Sequence, residues 1–207
     1  GIIILGDSSV GLYGKNDSRL SNKNSITVGN GSAGLMTSGN SSFILNSGLI
    51  TIGAGSQGIY LKDGTLINNT LSGSIVSTGA GAVGIYADNN AVSTMQITND
   101  GTIDLTGDKS IGIYATGSNG HIIDNNSGAV IKVGDSTNAS DPSIGIYSSA
   151  VGNTVTNSGT ITSGINSIGI YNNQGIVNSN GTSVYNGGSE GVGIYSTGGS
   201  VNLNAGS

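Results

Sequence analysis

A five-residue motif recurs along the chain and constrains its fold more than any other feature. "SIGIY" occurs at positions 110–114, 143–147 and 167–171, and five close variants occur elsewhere in the 207 residues. A motif that recurs at a steady interval marks a structural unit stacked on the next one, whereas a catalytic site needs its chemistry only once. Successive copies lie 23, 24, 26, 28, 33, 24 and 24 residues apart, measured between the central glycines Gly11, Gly34, Gly58, Gly84, Gly112, Gly145, Gly169 and Gly193.

A second signature keeps step with the first. It is a turn followed by a short apolar strand: "NSGLITIG" from Asn46, "NDGTIDLTG" from Asn99, "NSGAVIKVG" from Asn126 and "NSGTITSG" from Asn157. The two signatures together give three short strands per period of about 24 residues, which is typical of a parallel β-helix. The sequence therefore predicts an all-β fold, a parallel β-helix (solenoid) of about eight coils that takes up residues 1–207 as a single segment.

The composition favours an ordered chain and excludes several function classes. Charged residues make up only 8% of the chain, but 35% of it is hydrophobic and occurs in short alternating runs, as in buried strands. Six Lys and Arg, scattered in a chain of net charge -5, cannot form a stripe that follows nucleic-acid phosphates. The longest apolar run, Ile2–Leu5, is far shorter than a membrane-spanning helix requires.

Strand alternation predicts the face that each motif residue takes. We expect the residues on either side of the glycine to face the core, including Ile111 and Ile113. The glycine and the third residue should then point outward together or lie at a corner. Because stacked coils repeat at about 4.8 Å, the third residues should form an aromatic stripe interrupted by Met36, and its candidate ligand-binding members are Tyr60, Tyr86, Tyr114, Tyr147, Tyr171 and Tyr195.

The asparagines of the second signature are expected to form a structural ladder at one turn. Asn46, Asn99, Asn126 and Asn157 recur where the chain must turn. Asparagine can adopt the left-handed conformation there, and its amide can hydrogen-bond to the neighbouring coil. Inserted turns are the other candidate contact regions, namely the loop after Ala87 and residues 135–141, because insertions in solenoids often carry recognition.

Few residues offer catalytic or cofactor chemistry. Three G-x-G-x-x-G matches, at Gly29, Gly53 and Gly79, each end on a repeat glycine and run into a strand, so they do not indicate nucleotide sites. A single histidine, His121, is predicted to lie at the surface at the start of a strand, and it excludes a multi-histidine metal site. We expect no catalytic residue, no metal and no cofactor.

The best acidic cluster is Asp100, Asp104 and Asp108, near Lys109. Glycosidases and polysaccharide lyases also use β-helices, and a hydrolase needs two carboxylates that face one cleft. The alternative is structural, because Asp104 and Lys132 occupy the same strand position in adjacent coils and can form a cross-strand ion pair. We favour the ion pair.

With its coil length, its Gly and Asn turns, its lack of cysteine and its repeated "SVGLY", "SAGLM", "SQGIY", "AVGIY", "SIGIY" and "GVGIY", the whole chain resembles the passenger domain of type V autotransporters. It is most similar to the large fusobacterial outer-membrane adhesins. The resemblance implies a right-handed β-helix displayed on the surface of a Gram-negative cell, or secreted, as a segment of a longer virulence-associated passenger domain. Its anchor would be a C-terminal membrane barrel that this segment lacks.

The resemblance implies adhesion, and the expected partner is a host or bacterial surface protein or glycan. We therefore predict a non-enzymatic cell-surface adhesin segment that binds through the tyrosine stripe or the inserted turns. One alternative is a carbohydrate-active β-helix enzyme, a polysaccharide hydrolase or lyase, with solvent-facing aromatics stacked on sugar rings. Another is an inert spacer stalk. Open strand edges at both ends of such a segment also predict end-to-end self-association.

Overall fold

Twenty-four short β-strands form three parallel eight-stranded sheets in the computed structural model, which describes residues 1–91, 93–180 and 184–204. The first sheet contains β1 (Ile2–Ile4), β4 (Ser25–Val28), β7 (Leu49–Ile52), β10 (Ser74–Ser77), β13 (Thr102–Leu105), β16 (Val130–Val133), β19 (Thr160–Ser163) and β22 (Val184–Gly187). The second, which carries the GIY motif, contains β2 (Val10–Tyr13), β5 (Ala33–Ser38), β8 (Gln57–Lys62), β11 (Val83–Asp88), β14 (Ile111–Thr116), β17 (Ile144–Ser148), β20 (Ile168–Asn172) and β23 (Val192–Ser196). The third contains β3 (Arg19–Asn22), β6 (Phe43–Asn46), β9 (Leu66–Asn69), β12 (Met95–Asn99), β15 (His121–Asn125), β18 (Asn153–Asn157), β21 (Gly175–Ser179) and β24 (Ser200–Leu203).

Each strand pairs in parallel with the strand three elements further along the chain, so three strands make one coil. Equivalent residues lie side by side throughout: Tyr86 pairs with Tyr114, Ile103 with Ile131, and Asn99 with Asn125. This confirms the predicted β-solenoid of about eight coils with a period of about 24 residues.

The core is a narrow column of stacked side chains in which each sheet contributes a central rank of aliphatic residues, with further buried residues such as Leu61 and Leu105 beside them. In one coil the central residues are Ile75, Ile85 and Ile97, none of which is exposed to solvent. In the next coil the equivalent positions are Ile103, Ile113 and Ile123, because the strands are in register. β-Branched isoleucine suits this position, since it packs well on a pleated surface in one preferred rotamer.

The motif glycine faces inward, and this overturns the predicted alternation around it. A Cβ added to Gly112 would lie 2.5 Å from Cγ2 of the core residue Ile131 and 2.4 Å from the carbonyl oxygen of Gly145. Gly112 and Ile113 are both buried, so strict period-two alternation is interrupted at the glycine. The residue before it, Ile111, consequently lies on the outer side and is half-buried, and the prediction that its column faces the core is wrong.

A ladder of buried asparagine amides lines one corner of the column. Each Nδ2 donates to the Oδ1 of the next coil's asparagine over 2.7–2.9 Å, in the order Asn22, Asn46, Asn69, Asn99, Asn125 and Asn157. Each of the six is the last residue of a strand of the third sheet. None of them has a positive φ, so the ladder does not use the left-handed conformation that asparagine can adopt at a turn.

The ladder contains three of the four predicted asparagines. Asn126 was predicted wrongly, because its neighbour Asn125 takes the ladder position. Five positions separate Asn125 from Val130 but only three separate Asn46 from the equivalent Leu49, so this turn is two residues longer. The side chain of Asn126 instead donates to Oδ1 of Asp100 over 2.7 Å on the outside.

Candidate functional site

The tyrosines of the GIY motif form one continuous stack on the outside of the second sheet. Their ring centroids are 4.7–5.5 Å apart from Tyr60 to Tyr195. This spacing matches the separation of neighbouring strands, so the coil repeat itself sets it. The rings of Tyr114, Tyr147 and Tyr171 are nearly parallel, with interplanar angles of 6°, whereas Tyr60 meets Tyr86 edge-on at 65°. The column continues past Tyr60 through Met36 to Tyr13.

The stacking decides which part of each ring a ligand can reach. A ring between two parallel neighbours has both faces covered, so it presents only its edge and its hydroxyl group to solvent. Tyr114, Tyr147 and Tyr171 are accordingly half-buried, and so is Tyr86, which has Tyr114 stacked on one side and Tyr60 edge-on at the other. The interior of the stripe therefore offers an apolar edge with a row of hydroxyl groups about one coil apart, and no free ring face on which a sugar could stack.

Four tyrosines of the stripe have a pKa above the usual value, which favours their neutral, hydrogen-bonding form. Burial raises the pKa of Tyr60, Tyr86, Tyr114 and Tyr147 above the usual value of 10.0. The charge of Asp88 adds to this effect at Tyr60 and Tyr86, because a nearby carboxylate disfavours a second negative charge. The hydroxyl groups are thus available both as donors and as acceptors.

A second column runs beside the tyrosines, made of the residues that precede the motif glycines. Together the two columns form an apolar groove, which we call the GIY groove. It contains a cavity of about 550 Å³ that is lined by Ile144, Ile168 and Val192 on one side and by Tyr147, Tyr171 and Tyr195 on the other. A smaller cavity of about 260 Å³ lies between Gln57, Tyr60 and Tyr86.

The longest insertion forms one wall of the larger cavity. Ala139, Ser140 and Pro142 line it, together with Asn166, Ser167 and Glu190 from the next two turns. The other predicted contact region is the loop that was expected to begin after Ala87. In the structure β11 extends to Asp88, so this loop begins one residue later. Within that loop Val92 lies outside the described residues.

The three carboxylates of the acidic cluster do not converge. Asp100 lies at the turn before β13, Asp104 in that strand and Asp108 at the turn after it, so neighbouring members are roughly 13 Å apart along the chain at about 3.3 Å per residue. Each has its own partner: Asp100 accepts from Asn126, Asp104 pairs with Lys132 at 3.5 Å, and Asp108 accepts from Thr137. The predicted Asp104–Lys132 ion pair is confirmed.

His121 is the first residue of β15 as predicted, but it is fully buried, so its predicted surface location is wrong. Its side chain lies on the inward column next to Met95, and Nδ1 is 3.2 Å from Oδ1 of Asn153. Burial lowers the pKa of His121 below the usual 6.5, although the Asn153 contact and the charge of Asp88 oppose the shift. Among the described residues Nε2 has no hydrogen-bond partner, which fits a neutral imidazole in an apolar column.

We expect His121 to make the fold sensitive to mild acid. Because the folded-state pKa is lowered, the unfolded chain binds the proton more readily, so the free energy of unfolding falls as the pH drops below about 6.5. His121→Gln should abolish that dependence between about pH 6.5 and 5. Urea unfolding midpoints at pH 7.5 and 5.5, followed by circular dichroism, measure it. Equal losses in parent and variant would contradict a neutral buried histidine.

The described residues hold no group of three His, Cys, Asp or Glu side chains placed to bind a metal ion. In the same part of the chain no helix is long and apolar enough to cross a bilayer. The sequence patterns found the tyrosine column but missed the GIY groove beside it, because the period-two rule assigns that column to the core. The asparagines Asn22 and Asn69 were missed as well, although both end their strands in the same register as Asn46.

Comparisons of the chain with protein-family models, with curated proteins and with solved structures gave no match in any of the three.

Proposed function

We propose that this chain is a non-enzymatic cell-surface adhesin segment that binds its partner along the GIY groove. The observation that carries the proposal is the continuous outward column of stacked tyrosines with an apolar column beside it. Exposed apolar surface of this length on a folded protein is typical of an interaction site, and tyrosine supplies a large, rigid contact area at little cost in side-chain entropy.

The location and the partner class rest on the resemblance to autotransporter adhesins. That resemblance supports display outside a Gram-negative cell, on the outer membrane, and attachment to a protein or glycan on a host or bacterial surface. The solenoid suits such a role physically, because each coil is stabilised by its neighbours and the described fold needs no disulfide to hold it.

Two other functions predict different contacts. A carbohydrate-active enzyme needs paired carboxylates at one cleft, and the separate partners of Asp100, Asp104 and Asp108 weigh against that set of residues. A spacer stalk would bind nothing at all along its sides. The stacking itself would also stiffen a stalk, so only a binding measurement separates an adhesive face from an inert one.

The test compares the parent chain with Tyr86, Tyr114 and Tyr147 all replaced by serine. We expect the parent to bind host or bacterial cells, or a glycan array, and the variant to bind about tenfold more weakly, because buried tyrosine contacts are frequent hot spots. A second variant with the same three tyrosines changed to phenylalanine keeps the stack and removes only the hydroxyl groups. It should retain binding if the apolar ring edges carry the contact and lose it if the hydroxyl groups do.

The matched control changes three outward threonines of the first sheet, Thr27, Thr51 and Thr162, to alanine. Circular dichroism and melting must show that every variant remains folded. Equal binding by the tyrosine and threonine variants would overturn the groove as the receptor face. No binding by the folded parent would favour the spacer.

A further inference from the structure

The insertion that lines the larger cavity of the GIY groove is fixed by an ion pair and by hydrogen bonds. Lys109 Nζ contacts Asp141 at 2.8 Å, and Thr137 donates its backbone N–H and its hydroxyl group to the carboxylate of Asp108. The hydroxyl group of Ser136 contacts the carbonyl oxygens of Asn138 and Asp141 at 3.0 and 2.8 Å. The insertion is therefore held in place from the preceding coil, so the cavity is preformed.

The turns that lead into the motif strands share one backbone feature, and two of them have a charged residue at that position, Lys109 in one and Glu190 in the other. Seven of the eight such turns have one residue with a positive φ of 52–66°, and the turn before β17, which holds the insertion, has none; the seven residues are Ser8, Gly31, Gly55, Gly81, Lys109, Asn166 and Glu190. Three coils use glycine there, which is the residue that adopts this conformation without strain. Glu190 adopts it at φ 59° and places a carboxylate at the rim of the cavity.

The charge that lines the cavity is negative. Glu190 is the one charged residue among the described residues that line it. Lys109, a cation of the preceding coil, is already paired with Asp141 of the insertion, and no Lys or Arg among the described residues forms an ion pair with Glu190. The remaining lining is the apolar column, the tyrosine edges and a few small polar groups. A ligand that matches this surface has an apolar body and one cationic group.

The volume and shape restrict the ligand further. About 550 Å³ lies within the range of sites that hold a small molecule or a few side chains. The cavity extends along the solenoid axis, because the two columns that line it advance by one coil at a time and the insertion closes it on a further side. Of the tyrosines that line the cavity, Tyr147 and Tyr171 have both ring faces covered, and Tyr195, the last described ring of the stack, leaves one face open. The cavity therefore offers a sugar at most one aromatic face on which to stack.

We propose that this cavity binds a short extended segment of a partner protein in which a lysine or arginine is flanked by apolar residues. The apolar side chains lie between Ile144, Ile168 and the tyrosine edges, and the basic group pairs with Glu190. This inference deepens the proposed adhesive function, because it chooses a protein over a glycan as the partner and names the chemistry that the site recognises.

The test uses the intact chain and two capped peptides, acetyl-Leu-Lys-Leu-amide and its neutral analogue acetyl-Leu-Gln-Leu-amide. Methyl NMR of the isoleucine δ-carbons follows binding at the site itself, with no need for a cell receptor. We expect the lysine peptide to shift the signals of Ile144 and Ile168 at millimolar concentration. At physiological salt it should bind about three- to fivefold more tightly than the glutamine peptide, as expected for one solvent-accessible ion pair.

Glu190→Gln should remove the difference between the two peptides and leave the weaker, apolar binding in place. Asp104→Asn is the matched control, because it changes the net charge equally on a different sheet and should preserve the difference. Equal affinity of both peptides for the parent, or equal effects of the two variants, would overturn the proposal. Signal shifts at Ile26 and Ile50 in place of Ile144 and Ile168 would overturn the location.

The peptide experiment tests the cavity and the cell-binding experiment tests the adhesive function, so a negative result in one does not decide the other. Peptide binding without cell attachment would leave the site in place and remove the adhesive function. Cell attachment that depends on Tyr86, Tyr114 and Tyr147 but is unchanged by Glu190→Gln, with no peptide binding, would keep the adhesive function and reject this site.

Discussion

Replacing Gly112 by alanine should lower the free energy of unfolding by about 3 kcal/mol, the upper end for overpacking a well-filled core. The added Cβ would meet the carbonyl oxygen of Gly145 at 2.4 Å and Cγ2 of Ile131 at 2.5 Å. Neither can move freely, since one is backbone in the next strand and the other is a buried β-branched side chain. For a domain of this size the melting temperature should fall by about 6–12 °C.

The chain offers a control within the same column. Of the residues that the structure describes, a Cβ on Gly193 would have only Cβ of Tyr185 within 4 Å, at 4.0 Å, which is ordinary van der Waals contact. Gly193→Ala should therefore change the free energy of unfolding by no more than about 0.5 kcal/mol. Melting curves of the two variants make the comparison. A similar loss in both would mean that the glycine serves backbone flexibility and not the close approach of successive coils.

Removing one amide from the asparagine ladder should cost about 3–5 kcal/mol. Asn99 accepts a hydrogen bond from Asn69 and donates one to Asn125, each over 2.8 Å. Asn99→Ala would leave the buried Oδ1 of Asn125 without its donor and would take from Nδ2 of Asn69 its shortest acceptor, leaving only the longer contact with the Thr102 carbonyl oxygen and one with Gly73. Each loss costs roughly 1–3 kcal/mol, and the substitution would also leave a small cavity. Denaturant unfolding measures the loss. A loss below about 1 kcal/mol would show that water replaces the missing amide.

Asn99→Asp tests the direction of the hydrogen bonds. Its ionised carboxylate cannot donate to Asn125 and places a charge in the core, so the folded-state pKa of this side chain should be raised. The variant, measured against the parent at each pH, should be least stable above pH 7 and recover as the pH falls through that raised pKa, because the protonated carboxyl group can donate. The control is Asn202→Ala, which removes an exposed amide pair of 2.9 Å with Asn178 and should cost less than about 0.5 kcal/mol.

The repeat made the coil and the tyrosine column predictable. Each "GIY" places an apolar residue and a tyrosine on adjacent positions of a strand, and two adjacent positions must face opposite sides. This reasoning holds for Ile113 and Tyr114. It fails one step earlier, at Gly112, because a residue without a side chain can face the core and still leave room for the neighbouring coil. The outward position of Ile111, and with it the GIY groove, follows from that departure.

Turn lengths account for the other errors. The letters "NSG" at Asn126 look identical to those at Asn46, but two additional residues in the turn shift the ladder position back to Asn125. His121 was predicted at the surface at the start of its strand, and the residue type did not decide the matter, because histidine is intermediate in its tendency to be buried. The register with Met95 places it in the core instead, and that register depends on the length of the preceding loop, which no local pattern gives.

The direction of the backbone hydrogen bonds determines how this molecule responds to mechanical force. Because every strand pairs with its equivalent one coil away, the hydrogen bonds and the asparagine ladder run along the solenoid axis. A pull between the two ends loads the coil interfaces in series, so each interface carries the full tension and the weakest one fails first. A pull across the axis, such as a partner held in the GIY groove would exert, is shared among the coils that the partner contacts. Tension on a bound partner would therefore be resisted best when it acts sideways.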